Sequence, residues 1–336
     1  MAVSPLFKSL ILVIFLGVSF CMFSLLAVHQ PHQVSYPGQS SMEEVASLNG
    51  RSITIRIDDS IVHNISEKVL ENIRSDTSLC TTLRESISMP TIYIITPTYK
   101  RQEQIPDLTR LAQTLMHVPS IMWLVIEDAE MLNPQVAALL NRTGIKYLHM
   151  LAPMPKDQQK RKVKARGVSN RNRGLQWIRE NFADKNGVIY FADDDNTYDL
   201  RLFDEIRSVK KIGMWPVGLL TSYGMSSPVV KDGRVTGFYD GWVANRKFPV
   251  DMAGFGVSVS MIRRNPKGNM PYVPGYEEDG FLRNLNVKIS EIEPKAENCT
   301  KIYVWHTQTK KNRAPSRVNA TIHGHTNIWT LYQQII

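Results

Sequence analysis

Residues 188–197 of the chain read VIYFADDDNT, and this stretch decides the fold. An uncharged run of β-branched and aromatic residues is typical of a buried strand. The run ends in Asp193, Asp194 and Asp195, whose charges repel one another, so their burial costs free energy unless a cation is bound nearby. Clustered carboxylate oxygens suit Mg2+ or Mn2+. Because open α/β sheets bind ligands at the carboxyl ends of their strands, we expect a ligand site here; a solvated acidic turn is the alternative.

Strands and helices are predicted to alternate around this stretch. In chain order, the patterns predict a strand at 91–96, a helix at 107–115, a strand at 122–126, a helix at 134–140, a strand at 146–150 and a helix at 166–180. This alternation is typical of an α/β fold with a largely parallel sheet and crossover helices. Polar or acidic residues follow each strand, which predicts a nucleotide cleft along that edge of the sheet.

Composition and charge narrow the class of protein. The chain has 336 residues, and 40 Lys and Arg against 31 Asp and Glu give it a formal net charge of +9. This length suits one large domain or two small ones. The positive charge is compatible with a nucleic acid, a membrane surface or an anionic substrate. No basic run with interleaved aromatic residues stands out, so an anionic small molecule ranks above nucleic acid as the partner.

The N-terminal region contains a long uncharged run, SLILVIFLGVSFCMFSLLAV, at residues 9–28. Roughly twenty apolar residues are needed for a helix to cross a bilayer. Lys8 on the short upstream side favours a cytoplasmic tail at 1–8 and a lumenal location for the rest of the chain. A cleaved signal peptide is the alternative, but its apolar core is usually only ~7–15 residues long. We therefore expect a signal-anchor transmembrane helix that is retained.

Residues 29–89 are expected to form a lumenal stem. Their first part, HQPHQVSYPGQSS, is polar and contains Pro and Gly, which is typical of a linker. Residues 61–73 have the apolar spacing of an amphipathic helix. Such a helix could pair with a second copy in a homodimer or be loosely attached, and the sequence leaves both open.

Glycosylation sequons and cysteines bear on the compartment. The N-x-[ST] pattern begins at Asn64, Asn141, Asn298 and Asn319. Four such patterns beyond the apolar run support a lumenal location. Of the three cysteines, Cys21 lies in the apolar run, while Cys80 and Cys299 could pair with each other, pair between subunits or stay reduced.

Eight motifs follow one another between about residues 90 and 309. They are PTYKR, WLVIEDAE, RGVSNRN, YFADDDNTY, WPVG, FPVDMAGF, GYEEDGFL and CTKIYVWHTQT. In this order they closely resemble the animal β-1,3-glucuronosyltransferases, an inverting glycosyltransferase family with the GT-A fold. The resemblance implies a Rossmann-like donor half at 90–209, a mixed-sheet acceptor half at 210–313 and a divergent tail at 314–336. It also implies a single-pass type II protein of the Golgi membrane with a short tail, an anchor and a stem.

The same resemblance implies an activity. This is transfer of glucuronic acid from UDP-glucuronic acid to the 3-hydroxyl of a terminal galactose, in the proteoglycan linkage region or a related glycan acceptor, with inversion and with Mn2+ as cofactor. A glycan-binding member of the same fold without turnover is the alternative.

The resemblance also assigns residues to the donor. They are Tyr99 and Asp128 for the uracil, Arg166 and Arg171 for the anionic groups, Asp193 and Asp194 for the ribose and donor sugar, His306 near the diphosphate, and Asp195 for the metal. The residue types fit these roles: an aromatic ring stacks on a base, a carboxylate accepts the imide proton, and guanidinium forks bind diphosphate and carboxylate. A metal at the last aspartate would neutralise charge on the UDP leaving group.

On the acceptor side, the resemblance assigns the catalytic base to Glu278, because attack by a sugar hydroxyl requires a carboxylate that takes its proton. From the residues alone, an alternative is that Glu277, Glu278 and Asp279 lie at the N-terminus of a helix, where the helix macrodipole favours acidic side chains. The predicted acceptor-binding residues are Trp242, Arg246 and Asp251, whose aromatic face and ionic groups suit a sugar and its hydroxyls.

Three positions depart from the family pattern. Ser226 stands where the family usually has an acceptor-binding Glu, and Pro274 stands where the proteoglycan-linkage members have Arg. Gln308 stands where the family has a phosphate-facing Arg, and Lys310 or Lys311 could replace that charge. The identity of the acceptor glycan is therefore left open by the sequence.

Overall fold

The computed structural model describes the backbone of residues 42–48 and 51–57 and the whole of residues 89–181 and 186–335. The chain divides into two units, Met1–Ile87 and Ser88–Ile336. In the first unit, strands β1 (Met42–Leu48) and β2 (Arg51–Ile57) form an antiparallel pair within the predicted stem, and the sequence patterns did not predict it.

Several predictions fall on other parts of the first unit. The transmembrane helix at 9–28, the helix at 61–73, the sequon at Asn64, and Cys21 and Cys80 lie outside the described residues. Within the ranges that are described, no helix is long and apolar enough to cross a membrane.

The second unit alternates strands and helices along the chain. Its strands are β3 (Thr91–Thr98), β4 (Ile121–Glu127), β5 (Tyr147–Leu151), β6 (Gly187–Phe191), β7 (Thr197–Tyr198), β8 (Ile212–Met214), β9 (Val217–Gly218), β10 (Met225–Lys231), β11 (Arg234–Tyr239), β12 (Phe255–Ser258), β13 (Ile292–Pro294) and β14 (Val304–Trp305). Its helices are α1 (Gln104–Leu115), α2 (Pro134–Asn141), α3 (Lys156–Gln159), α4 (Val168–Asn181), α5 (Arg201–Arg207), α6 (Val259–Arg264), α7 (Glu277–Asn284), α8 (Lys295–Cys299), α9 (Ala320–His323) and α10 (Asn327–Ile335). Two 3-10 turns lie at Met252–Gly254 and Ile289–Glu291.

The main sheet has the strand order β13-β8-β12-β6-β3-β4-β5. Strands β6, β3, β4 and β5 are parallel to their neighbours in that run, whereas β12 is antiparallel to both β6 and β8. All of β6 is buried, which explains why its sequence is continuously apolar rather than alternating. The fold is thus a mixed α/β sheet, and strands from beyond residue 209 complete the same sheet as the strands before it.

Helices cover both faces of this sheet. Alternate residues of a strand point to opposite faces, so Ile92 and Ile94 of β3 join the core under α1 and α2, while Ile95 joins the core under α4. Helix α1 contributes leucines to the first core, and α4 contributes Leu175 and Ile178 to the second. The sheet is therefore held rigidly, and the loops at its carboxyl edge rest on fixed strand ends.

A smaller sheet completes that edge, with the order β11-β10-β9-β14-β7. Strand β7 follows directly after the acidic triplet, and β14 pairs with it through Val304 opposite Tyr198. On its other side, β14 is parallel to β9. This pairing brings the residues that follow β14 next to the triplet.

The structure confirms the predicted alternation of strands and helices. The largest difference in bounds is at α1, which begins at Gln104 rather than at 107. The helix can begin earlier because Pro106 falls in its first turn, where the missing backbone N–H has no partner to lose. At α2, Asn133 caps the helix by accepting a hydrogen bond from the Gln135 backbone N–H at 3.0 Å.

The contact between α4 and β3 is sensitive to one methyl group. A Cβ added at Gly174 would lie 2.8 Å from Cδ1 of the buried Ile95. Alanine gains about 1 kcal/mol over glycine in a helix, but overpacking a core typically costs about 1–3 kcal/mol. We expect Gly174→Ala to lower the free energy of unfolding by about 1 kcal/mol in denaturant titrations. Gly237→Ala is the control, because its Cβ would meet nothing within 4 Å; an equal loss there would contradict the steric explanation.

Candidate functional site

Two adjoining cavities lie at the carboxyl edge of the main sheet. Cavity A, of about 890 Å³, is lined by the loop after β3, the segment before α4 and the acidic triplet. Cavity B, of about 680 Å³, is lined by the turn after β9, the segment 240–252 and the start of α7. The cavities share a wall made of Arg166, Arg171, Asp193, His306 and Gln308.

Every residue predicted for the site lines one of these cavities or both. Cavity A contains Tyr99, Asp128, Asp194 and Asp195, cavity B contains Trp242, Arg246, Asp251 and Glu278, and the shared wall contains Arg166, Arg171, Asp193 and His306. The structure thus brings together residues that are spread over some two hundred positions of sequence, while their individual roles stay predictions.

The middle acid of the triplet is the most deeply buried. Asp194 accepts a hydrogen bond from Thr98 Oγ1 at 2.7 Å and lies 2.8 Å from Arg101 Nη2. Burial raises the pKa of its carboxyl to about 6, and the guanidinium and hydroxyl oppose this rise. Asp193 is paired with the Arg171 guanidinium in the shared wall. Two of the three acids therefore have cationic partners.

Asp195 is compensated differently. Burial raises its pKa, and the charge of Asp193 adds to this effect. Thr307 Oγ1 donates a hydrogen bond to the Asp195 backbone oxygen at 2.6 Å, but within the described part of the chain its carboxylate has no ion-pair partner. No group of three or more His, Cys, Asp or Glu side chains there could hold a metal by itself. The Asp195 carboxylate is by itself an oxygen ligand of the type that Mg2+ and Mn2+ prefer.

Arg101 is a partner that sequence reasoning missed. Its Nη2 contacts Asp194 and also lies 2.8 Å from Asp107 Oδ2, and its guanidinium lies 4.8 Å from the centre of the Tyr99 ring. It therefore connects the aromatic side chain of cavity A to the acidic triplet. The signal in the sequence was a cation two positions after Tyr99 in the same loop.

The strand end at β4 orients its two acids in different directions. Glu127 is fully buried and contacts His149 Nε2 at 2.6 Å, the Asn133 backbone N–H at 2.8 Å and Gln104 Nε2 at 3.1 Å. Asp128 lines cavity A and accepts a hydrogen bond from the Met154 backbone N–H at 2.7 Å. The first acid is structural and the second is available to a ligand.

The predicted helix start at Arg166 is wrong by two residues. Helix α4 begins at Val168, because Gly167 has a left-handed φ of 75° that ends the helical run on that side. Arg166 therefore approaches the cavities from a loop and Arg171 from the first turn of the helix. The Arg171 Nη1 atom lies against Gly167 and donates a hydrogen bond to the Arg166 carbonyl at 3.3 Å.

His306 connects the two cavities electrostatically. Its Nδ1 lies 3.3 Å from Asp251 Oδ2 of cavity B, and its Nε2 lies 3.1 Å from Gln308 Nε2. The Asp251 carboxylate raises the pKa of His306 and favours its protonated form. A histidine whose protonation is favoured in this way suits a wall that faces an anionic ligand.

The start of α7 separates three neighbouring acids. Asp279 faces the interior, where its carboxylate accepts from the Phe248 backbone N–H at 2.8 Å and contacts Arg283 Nε at 2.7 Å. Glu277 and Glu278 both line cavity B. Burial, and then repulsion by Asp251, raise the pKa of Glu278 to about 8. Below about pH 8 the protonated form of Glu278 is therefore favoured, and only its deprotonated form can accept a proton from a substrate.

An aromatic and ionic group forms the outer part of cavity B. Trp242 is 47% exposed, and the Arg246 guanidinium lies 4.5 Å from the centre of its ring. Asp240, which sequence reasoning missed, lies 3.3 Å from Arg246 Nη2 and accepts a hydrogen bond from the Trp242 backbone N–H at 2.7 Å. The arrangement presents one aromatic face with fixed polar groups around it.

The departures from the family pattern have different positions. Gln308 lines both cavities, and Lys311, but not Lys310, lines cavity A. Ser226 lines neither cavity: it is 2% exposed, and its Oγ has no hydrogen-bond partner among the described residues. Pro274 likewise lines neither. The Ser226 side chain is therefore enclosed beside the strands in this structure, while its relation to an acceptor stays a prediction.

Residues 111–310 match the family model described as Glycosyltransferase family 43. The chain belongs to glycosyltransferase family 43. This family 43 protein is 54% identical over 241 residues to galactosylgalactosylxylosylprotein 3-beta-glucuronosyltransferase P of Drosophila melanogaster, covering 71% of this chain and 50% of that one. It is 41% identical to galactosylgalactosylxylosylprotein 3-beta-glucuronosyltransferase sqv-8 of Caenorhabditis elegans, and the match covers 81% of this chain and 83% of that one. The chain thus spans about half the length of the first of these relatives.

The raised pKa of Glu278 predicts a pH dependence of stability. Its folded pKa of about 8 exceeds the ordinary value of 4.5, so its stabilising contribution is complete below pH 4.5 and is lost as the pH rises through about 8. Glu278→Gln mimics the protonated form and should match wild type in acid but exceed it above pH 8 by about 1–3 kcal/mol, since the carboxyl is partly solvated. Unfolding measured from pH 5 to 9 tests this, and parallel stability curves would contradict it.

Proposed function

We propose that this family 43 protein is an inverting, Mn2+-dependent β-1,3-glucuronosyltransferase with the GT-A fold. Its donor is UDP-glucuronic acid and its acceptor is a galactose-terminated glycan. The observation that carries the proposal is the meeting of two cavities at one cationic wall, with the acidic triplet in cavity A and Glu278 in cavity B. The names of the relatives, which are 3-beta-glucuronosyltransferases, support it.

Cavity A accommodates the donor in this proposal. Tyr99 stacks on the uracil and Asp128 accepts its imide proton. Asp193 and Asp194 bind hydroxyls of the ribose and the donor sugar. Arg166 and Arg171 in the shared wall, together with His306, face the diphosphate and the glucuronate carboxylate, for which guanidinium groups are suited.

Asp195 is the proposed metal ligand, and a bound Mn2+ supplies a Lewis acid that neutralises the diphosphate. Its carboxylate lacks an ion-pair partner in the described part of the chain, which supports this assignment. If the leaving group were neutralised in this way, no side chain would have to protonate it.

Cavity B accommodates the acceptor. Trp242 packs on a sugar face, while Arg246 and Asp251 bind its hydroxyls. The acceptor 3-hydroxyl oxygen attacks the anomeric carbon of glucuronic acid from the side of Glu278. The bond from that carbon to the diphosphate oxygen breaks, its electron pair leaves with UDP, and the hydroxyl proton passes to the Glu278 carboxylate. Attack opposite the leaving group inverts the anomeric configuration.

The finer assignments of location and assembly are part of the same proposal. Residues 1–8 form a cytoplasmic tail, 9–28 a signal anchor and 29–89 a stem of a type II Golgi membrane protein. Residues 90–209 form the donor half, 210–313 the acceptor half and 314–336 the tail, with homodimerisation through the stem as one arrangement. A glycan-binding protein without turnover is less well supported, because both Asp195 and Glu278 line the cavities.

Transfer and its metal dependence test the proposal together. The chain, purified in detergent, should transfer labelled glucuronic acid from UDP-glucuronic acid to β-galactoside acceptors. Excess chelator should abolish transfer and Mn2+ should restore it, because the charge that develops on the UDP leaving group would otherwise be met by side chains alone. A protein that binds galactosides without transfer would support the alternative, and full activity in chelator would refute the metal assignment.

The assignment of the base is tested by Glu278→Gln. The amide keeps the size of the side chain but cannot accept a proton, and loss of a general base typically lowers kcat by about 10²–10⁴-fold. UDP affinity should survive, because Glu278 lines only cavity B. Glu277→Gln is the matched control on the same wall and should lose far less. A variant with near-normal kcat, or with UDP affinity lost in proportion to activity, would contradict the assignment.

A further inference from the structure

Residues 268–272, here called the linking segment, lie between α6 and α7 and are bound by a side chain of α4. Asn172 Nδ2 donates a hydrogen bond to the Met270 carbonyl at 3.0 Å, and the Met270 backbone N–H donates to Asn172 Oδ1 at 2.8 Å. One amide side chain thus pairs with both backbone polar groups of Met270. Met270 is buried, so losing Asn172 leaves two backbone groups unpaired unless the linking segment moves.

Other side chains of α4 bind the same segment. The Ser169 and Tyr272 hydroxyls are hydrogen-bonded at 2.9 Å, and Arg179 Nη1 donates to Asn269 Oδ1 at 2.8 Å. Positions 169, 172 and 179 are spaced by three and seven residues, so their side chains lie on one face of the helix. The position of the linking segment therefore follows that of α4.

Helix α7 packs against the linking segment as well. Asn284 Nδ2 donates a hydrogen bond to the Asn269 carbonyl at 2.8 Å. A Cβ added at Gly280 would lie 2.4 Å from Pro271 Cγ, so the backbone of α7 approaches the segment closely. The first turn of the same helix carries Glu278. Contacts to one short segment thus join the helix of the proposed base to α4.

Helix α4 also carries part of the donor side of the site. Arg171, the residue before Asn172, lines both cavities. Transfer requires reacting atoms about 3–3.5 Å apart, and a misplacement of about 1 Å can cost about 10²-fold in rate. We propose, on the basis of the proposed function, that Asn172 is a positioning residue: through the linking segment it sets the distance between the donor held at Arg171 and the Glu278 carboxylate.

The test compares Asn172→Ala with Gln176→Ala in the whole chain purified in detergent. Gln176 is exposed on the next turn of α4, and its amide donates to Glu180 at 2.8 Å rather than to the linking segment. The single-turnover rate of glucuronic acid transfer at saturating acceptor, which excludes product release, should fall about 10- to 100-fold in Asn172→Ala. The Kd for UDP with Mn2+, from titration calorimetry, should stay at the wild-type value because Arg171 is retained. Gln176→Ala should change neither quantity.

A purely structural role is separated by counting sites. The same titration gives the number of UDP sites, and the rate is expressed per site, so unfolded protein does not lower it. Tyr272→Phe removes only one hydroxyl from the linking segment and should show a smaller loss of rate, again with the wild-type Kd.

The outcomes that overturn the proposal are distinct. Wild-type rates per site in both Asn172→Ala and Tyr272→Phe would leave the hydrogen bonds a structural role only. A UDP affinity lost in proportion to the rate would mean that Asn172 acts on the donor side alone. A wild-type protein that transfers no glucuronic acid would instead refute the proposed function on which the inference rests.

Discussion

The burial of three adjacent carboxylates at the end of one strand is the constraint on which the site depends. The protein compensates each acid differently: Asp194 has a guanidinium and a hydroxyl, Asp193 has Arg171, and Asp195 has no ion pair among the described residues. Two acids are thereby fixed as parts of the wall. The third is compensated only by the charge of Arg101 and by a backbone hydrogen bond from Thr309, and the metal proposed above would supply further positive charge there.

A second carboxylate links the two cavities. Asp251 contacts His306 and raises its pKa, and after burial it is the largest influence raising the pKa of Glu278. One negative charge thus favours the protonated forms of both neighbours, which are the cationic form of the histidine and the neutral form of the glutamate. Neutralising Asp251 would lower the pKa of both side chains, so the charge of the shared wall and the proton affinity of Glu278 in cavity B are coupled.

Local patterns predicted much of this protein. The alternation of strands and helices and the triplet at the end of β6 follow from hydrophobic periodicity, which is a property of short segments. The cationic partners of the aspartates could not be predicted from these patterns. The chain has 40 Lys and Arg, and only the fold brings Arg101 next to Asp194. The insertion of β12 between β6 and β8 is also decided by pairing between distant segments.

Position 226 shows a different limit. Strand register decides which side chains face a cavity, and a shift of one residue reverses every side chain of a strand. In the family, position 226 usually carries an acceptor-binding Glu, whereas in the register found here Ser226 lies opposite Val217 and is buried. The motifs were enough to predict the family, whereas the direction of the Ser226 side chain could be determined only from the strand pairing in the sheet.

The order of the site residues along the chain has a consequence for biosynthesis. Thr98, Arg101 and Arg171 all precede the triplet, so a ribosome-bound chain already contains the groups that compensate Asp193 and Asp194 when these acids emerge. Residues 306–312 come last, and the hydrogen bond from the Asn312 backbone N–H to Glu103 spans 209 positions of the chain. Closing so long a loop is slow compared with local folding. The nascent protein therefore acquires a compensated acidic edge early and a complete cavity A only once nearly all of its globular unit has been made.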